Sequence, residues 1–563
     1  MQLWKLLWLP ADLPYYEAQG AFAGTDDHPH TKQLIFSSWK VVPRSIAMLV
    51  SYVMERLMVL EGDAEPSYSE LREKHRPLLR WSEEDGRLGG MPLLALFYPC
   101  MTLARRIDPL LYAQAQNMRL TRAELDQRVA KEASDLLSPL VRGYEDKSTR
   151  PDQRWYWAAP FLLDKQHAPS VHEWMMEESD EWSWGSPDDE EQSLFQKHIA
   201  EASELLDRPN RLGRPPDDLA DVLAKIAIGA PGTVILRALL RHAAPSEERA
   251  AWQSAASAAL GFRTLFNVPE SMLLLRGLFG RELPYWDQVL HYCGDGNLQA
   301  VIDEYVHILI DLLSVEAGSN EGLHNLGDAI DNAVSLKTTS LAYDQYRQMS
   351  DGGVSVKLQR TRCRFAQRFG ESDSEDGTEK TREGALRDAF NSPFRPFILA
   401  STSIGQEGLD FHPYCHAVVH WNLPTNPVDL EQREGRVHRF KGHFISKNLA
   451  KAYGIAGTTG ERDPWASLFL TALARRPDAQ NDIVPFWIFD GPSKIERRLP
   501  MLPLSRETTR VDDLKQSLAL YRLTFGQPRQ EELLEFLKRH SSEGGESAAV
   551  LDRHIDLRPP AAS

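Results

Sequence analysis

The chain has 563 residues, 42% of them hydrophobic and 26% charged, a composition that supplies several packed cores and excludes a disordered or collagenous protein. Its net charge of -16 gives no overall attraction to a polyanion, so phosphate binding would fall to local arginines and backbone N–H groups. Four cysteines, Cys100, Cys293, Cys363 and Cys415, lie far apart with no C-x-x-C pair, which argues against a disulfide framework or structural zinc and fits a reducing, cytoplasmic setting.

Residues 1–32 open with an apolar run, Trp4 to Pro10, too short for a signal sequence and placed as a linker would be. No apolar run is long enough for a bilayer, so no membrane is expected as a partner. Residues 33–37 (Gln-Leu-Ile-Phe-Ser) predict a buried strand, followed by Ser38 and a helix from about Pro43 to Leu60, with proline suited to its first turn. From 61 to 350 the pattern is mostly helical. It is broken at residues 209–217 and by an acidic stretch, 173–207, that carries Trp174, Trp182 and Trp184.

Strand patterning resumes over 354–369, where Arg360, Arg362 and Arg364 alternate with Thr361, Cys363 and Phe365. These arginines fit either a DNA groove or a charge-protected edge strand. A polar loop (371–379), a helix (380–391), strands at 396–400 and 417–421, and a helix bearing 431–439 follow. Strand alternating with helix is the pattern of a parallel sheet covered on both faces. The simplest α/β account is one parallel-sheet lobe, built from residues 33–60 and 351–500 and interrupted by a large, mostly helical insertion over 61–350. Residues 501–563 form a helical tail.

Two segments carry chemistry. Ala400 to Phe411 follows a strand and is rich in Ser, Thr and Gly, so its backbone and hydroxyls are suited to approach a phosphate closely. In Gln432-Arg433-Glu434-Gly435-Arg436-Val437-His438-Arg439, helical spacing would place Gln432, Arg436 and Arg439 on one face, where two guanidinium forks could converge on one phosphate.

Together these segments resemble the C-terminal, RecA-like lobe of superfamily-two helicases, nearest to the Swi/Snf-type translocases and their bacterial relatives. Lys32 to Ser37 resembles their motif four, Ser401 to Phe411 motif five, and Gln432 to Arg439 matches the motif-six pattern Q-x-x-G-R-x-x-R. Trp421 to Pro427 resembles the segment joining motifs five and six. The resemblance covers residues 30–60 and 350–445. It implies that Arg436 and Arg439 are arginine fingers toward ATP, with Gln432 near the γ-phosphate and attacking water. It also implies that Asp410, in the Gly408-Leu409-Asp410 triplet, meets the nucleotide ribose, and that Thr402, Ser37 and Ser38 face nucleic-acid phosphates.

The phosphate loop G-x-x-x-x-G-K-[ST] needs a Gly-Lys pair, and this chain contains none. Asp303-Glu304-Tyr305-Val306-His307 mimics an acidic magnesium motif, yet its histidine is one position late and its apolar spacing is that of an amphipathic helix. No histidine set has metal-ligand spacing. The expectation is therefore an ATP-dependent DNA helicase or translocase whose ATP and Mg2+ are held mainly by a first, phosphate-loop-bearing lobe, lost or carried on another chain. The alternative is a non-catalytic interaction or regulatory protein built on an orphan helicase lobe.

Overall fold

The computed structural model of the chain describes residues 2–25, 30–61, 76–142, 144, 150–178, 189–336, 340–349, 353–370, 377–402, 409–477, 482–500, 507–524 and 532. Among the described residues there are nine strands: β1 (Lys32–Ser37), β2 (Ser82–Glu84), β3 (Arg87–Gly89), β4 (Ser340–Gln348), β5 (Val354–Arg362), β6 (Ala366–Phe369), β7 (Ile398–Thr402), β8 (Cys415–His420) and β9 (Glu496–Arg498).

Leu34, Ile35 and Phe36 are an unbroken apolar run, as a strand buried on both faces requires. β1 accordingly lies at the centre of a five-stranded parallel sheet ordered β6-β7-β1-β8-β9. Leu34 stands opposite Leu399 on one side and Val418 on the other. Because side chains alternate along a strand, Leu34 and Phe36 enter one core with Phe369, Phe390, Leu399, Phe411, Val418 and Val437. Ile35 enters the opposite core with Val42, Ile46, Ala400 and Val419. The helix Val41–Glu61 covers that second face. Its Ser51 hydroxyl accepts from the Ala366 N–H at 3.0 Å and donates to the Ala366 carbonyl at 3.1 Å, tying the helix to β6.

The fold is thus a RecA-like parallel-sheet lobe whose central strand precedes a mostly helical insertion and whose other strands follow it. The insertion runs through helices such as Glu248–Phe266, Leu298–Leu313 and Asn320–Val334. It also contains the antiparallel hairpin β2–β3, and a second hairpin, β4–β5, stands where the chain returns from it to the sheet. Among the described residues no single helix is long and apolar enough to cross a membrane.

Three expectations change. The first 32 residues are not a free linker: Leu6, Leu7, Trp8, Tyr15 and Tyr16 are fully buried. Trp8 stacks on Phe22 at 5.4 Å and meets Tyr292 edge-on at 5.1 Å, while Tyr15 donates to Asp303 at 2.7 Å. The segment is too short and irregular for a periodic signal, but its aromatic area is what the helical body buries. Residues 354–369 are two strands, not one, because the chain leaves β5 at Arg362 and enters the parallel sheet only at Ala366. The helix expected over 431–439 is Pro427–Gly435: Asn426 caps its start, with Pro427 in the first turn, and it ends at the glycine with Arg436 as its C-cap.

The magnesium-like run also has structural employment. Asp303 pairs with Arg241 at 3.1 Å, Glu304 accepts the Asp12 N–H at 3.0 Å, and His307 meets Asp463 at 2.6 Å.

Candidate nucleotide and nucleic-acid edge

In an open parallel sheet, ligands bind beyond the carboxyl ends of the strands. Here those ends bring together Ser37 from β1, Thr402 from β7 and the Trp421-Asn422 step after β8. Asn422 is the organiser, a residue that the motif comparison passed over. Its Oδ1 accepts from the Ser37 hydroxyl at 3.0 Å and from the Ser38 N–H at 2.9 Å, and its Nδ2 donates to the Ser38 hydroxyl at 2.6 Å. Ser37 is buried and also accepts the Trp39 N–H at 3.1 Å, so its hydroxyl serves the turn, while Ser38 and Trp39 face solvent. Thr402 is buried, and its hydroxyl has no hydrogen-bond partner among the described residues. Gly408 and the loop 403–408 lie outside the described residues.

The motif-six residues are close together but do not share one helical face. Gln432 is exposed on the helix, Arg436 is its C-cap, and Arg439 follows a turn. Arg436 is only 9% exposed. Its guanidinium lies 5.7 Å from the Phe36 ring centroid, beside that of Arg433 at 5.4 Å. The aromatic face attracts both cations, and burial lowers the Arg433 pKa from its ordinary value. Arg433 was not singled out by the motif; its signal was only its place three residues before Arg436.

Glu434 anchors the helix to the sheet. It accepts from Arg497 Nη2 at 2.7 Å and contacts His420 Nε2 at 3.3 Å. Burial raises its pKa, but the hydrogen bonds from His420 and Arg497 outweigh that and hold it at about 2.

Motifs five and six meet directly. The Phe411 N–H donates to the Arg436 carbonyl at 2.9 Å, and Arg439 Nε donates to Asp410 Oδ1 at 2.6 Å. This ion pair is partly exposed and borders a pocket of about 330 Å³ that His412, Phe440, Lys441 and Trp487 also line. Burial pushes His412 down to about 4, so its ring is neutral at pH 7. Lys441 reaches across to the insertion, donating to Asp311 at 2.7 Å. Among the described residues no group of His, Cys, Asp and Glu is arranged to hold a metal ion.

A parallel sheet centred on β1, with these two segments meeting beside it, has the form of a RecA-like lobe. Residues 337–441 match the family described as the helicase conserved C-terminal domain. A stretch of 144 residues is 26% identical to the "Uncharacterized ATP-dependent helicase YqhH" of Bacillus subtilis (strain 168), covering 25% of this chain and 23% of that relative's length. No solved structure matches the chain. The chain therefore carries the C-terminal lobe of a superfamily-two helicase, and it spans about a quarter of the length of the curated relative it matches. β1 lies outside the matched residues although it is the centre of the sheet, because the insertion separates it from the rest of the lobe.

Proposed function

We propose that this chain acts as the C-terminal lobe of an ATP-dependent DNA helicase or translocase, completed by a phosphate-loop-bearing lobe that holds ATP and Mg2+. The observation that carries this reading is the Asp410–Arg439 pair at the mouth of the 330 Å³ pocket. An acceptor for ribose hydroxyls and a guanidinium for phosphoryl oxygens stand together where motifs five and six meet, a donor set that suits a nucleotide. With ATP bound between lobes, Asp410 would turn to the ribose and Arg439 to the developing phosphoryl charge. Arg436, stacked on Phe36, would hold the motif-six turn in place with its guanidinium bordering the cleft, and Gln432 would face the opposite lobe. Ser38, Thr402 and the backbone held by Asn422 would contact nucleic-acid phosphates. Closure of the two lobes on ATP and reopening after hydrolysis would move the lobe along a strand.

The test is steady-state ATPase with and without single-stranded DNA. The chain alone should turn over ATP negligibly, since arginines cannot replace the loop, lysine and metal of the other lobe. A phosphate-loop lobe added in trans should restore DNA-stimulated turnover. Robust hydrolysis by the chain alone, abolished by changes within it, would refute this division of labour.

A further inference from the structure

The arginine-alternating strand has a setting that the sheet lobe does not explain. β5 is paired along its whole length with β4, from Ser340 opposite Arg362 to Gln348 opposite Val354, in a two-stranded sheet of its own. Directly opposed residues share a face, so Tyr346 and Val356 lie on the same side as Leu358 and Val354, with Arg360 and Arg362 at the root of that side. Tyr346 is 68% exposed, and Val354, Val356 and Leu358 are more than half exposed. A lone hairpin is only marginally stable in water, and a contiguous exposed apolar stripe on such a hairpin marks a surface that binds something.

Charge selects the occupant. By register this face carries Arg360 and Arg362 against Asp344, a local excess of cations in a chain of net charge -16, while Arg347 and Lys357 belong to the other face. At the hairpin's root Arg362 and Arg364, the latter paired with Glu270 at 2.6 Å, line a cavity of about 480 Å³ between insertion and lobe. An aromatic and aliphatic platform leading into alternating arginines is the chemistry that stacks bases and then neutralises their backbone.

We propose that the β4–β5 face binds single-stranded nucleic acid, with a base stacked on Tyr346 and a phosphate at Arg362. This rests on the nucleic-acid reading above and adds a second contact surface, separate from the sheet edge at Ser38 and Asn422.

The experiment is fluorescence anisotropy of a labelled oligothymidylate of about 20 nucleotides with the full chain at low salt. Tyr346→Ala should weaken binding about tenfold and Tyr346→Phe should retain it, because stacking uses the ring. Replacing Arg362 with alanine should lower the slope of log affinity against log salt by about 0.7, one single-strand phosphate contact's worth. Unchanged melting temperatures and retention in Tyr346→Phe exclude a misfolded hairpin. Normal binding in the Tyr346 and arginine variants, with loss in Asn422→Ala, would overturn the hairpin surface and leave the sheet-edge reading intact. No binding by the unaltered chain would overturn both. Equal competition by a duplex of the same length, or dimerisation through this face in place of oligonucleotide binding, would also overturn it.

Discussion

Arg436 and Arg439 belong to one motif but should fail in different ways when replaced by alanine. Arg436 is buried with its guanidinium over Phe36, in the centre of the sheet. Removing it forfeits a desolvated cation–π contact, about 0.5–2 kcal/mol, together with the packing of its aliphatic stem. A total near 2 kcal/mol is expected, which for a lobe of 150–250 residues lowers the melting temperature by roughly 4–8 °C. The Arg439 side chain is 38% exposed, and its partner Asp410 is 44% exposed. Such a pair contributes about 0–1 kcal/mol, so Arg439→Ala should melt within a degree or two of the parent. In turnover Arg439→Ala should lose about a thousandfold or more once a phosphate-loop lobe is supplied, the scale of an arginine finger. Arg439→Lys should rescue poorly, because a point charge does not reproduce the planar fork. Calorimetry of the chain alone and ATPase of the complemented enzyme separate the two effects. Near-normal turnover in Arg439→Ala, or an undiminished melting temperature in Arg436→Ala, would refute the assignment of one arginine to chemistry and the other to the fold.

Glu434→Gln should destabilise the lobe at neutral pH by about 3 kcal/mol at most, since the carboxylate's pKa falls from an ordinary 4.5 to about 2. The depressed pKa makes that stability fully present above about 4.5 and lost as pH falls through about 2. Melting curves of parent and variant should therefore converge in strong acid; a difference independent of pH would show that the ion pair is not its source. Trp8→Ala should cost about 3–5 kcal/mol through the cavity left among Phe22, Tyr292 and Phe394. A Trp8→Ala variant melting like the parent would restore the first segment to the status of a linker.

The sheet was readable because its strands are short apolar runs bounded by serine or proline, as in Leu34–Phe36 before Ser37-Ser38 and Phe397–Ala400 after Pro396. The motif-six arginines were equally visible. The difference in their burial was not, because Arg436 packs against Phe36, 400 residues away in sequence. Helical spacing failed at Gly435, where a helix begun by Asn426 and Pro427 ends after nine residues. β4 escaped notice since Ser-Leu-Ala-Tyr-Asp-Gln-Tyr-Arg-Gln has polar residues on both alternating sets, and only pairing with β5 makes it a strand. Asn422 had no signal of its own; a single asparagine after a strand gains meaning only when two serines from another strand converge on it.

The insertion and the lobe are joined by a buried charge centre that limits how the molecule moves. Asp12 lies in the N-terminal segment packed in the helical body, and its carboxylate is almost wholly buried. It meets Lys447 at 2.8 Å, His443 at 3.2 Å and His30 at 3.2 Å, while its own N–H bonds Glu304 of the insertion at 3.0 Å. Burial opposes the charge, yet Lys447 and His443 hold the Asp12 pKa well below the ordinary range. Burial pushes His443 down to about 4, so at pH 7 that ring is neutral. Separating the body from the lobe would break these bonds and open the packed interior around them to water. Trp8 and Phe394 form a second tie across the same junction, with the Leu9 N–H donating to the Pro393 carbonyl at 2.9 Å. The insertion and the sheet therefore travel as one piece. A motion driven by ATP would have its hinge between this piece and the phosphate-loop lobe, and the β4–β5 hairpin, rooted in the piece, would be carried with it.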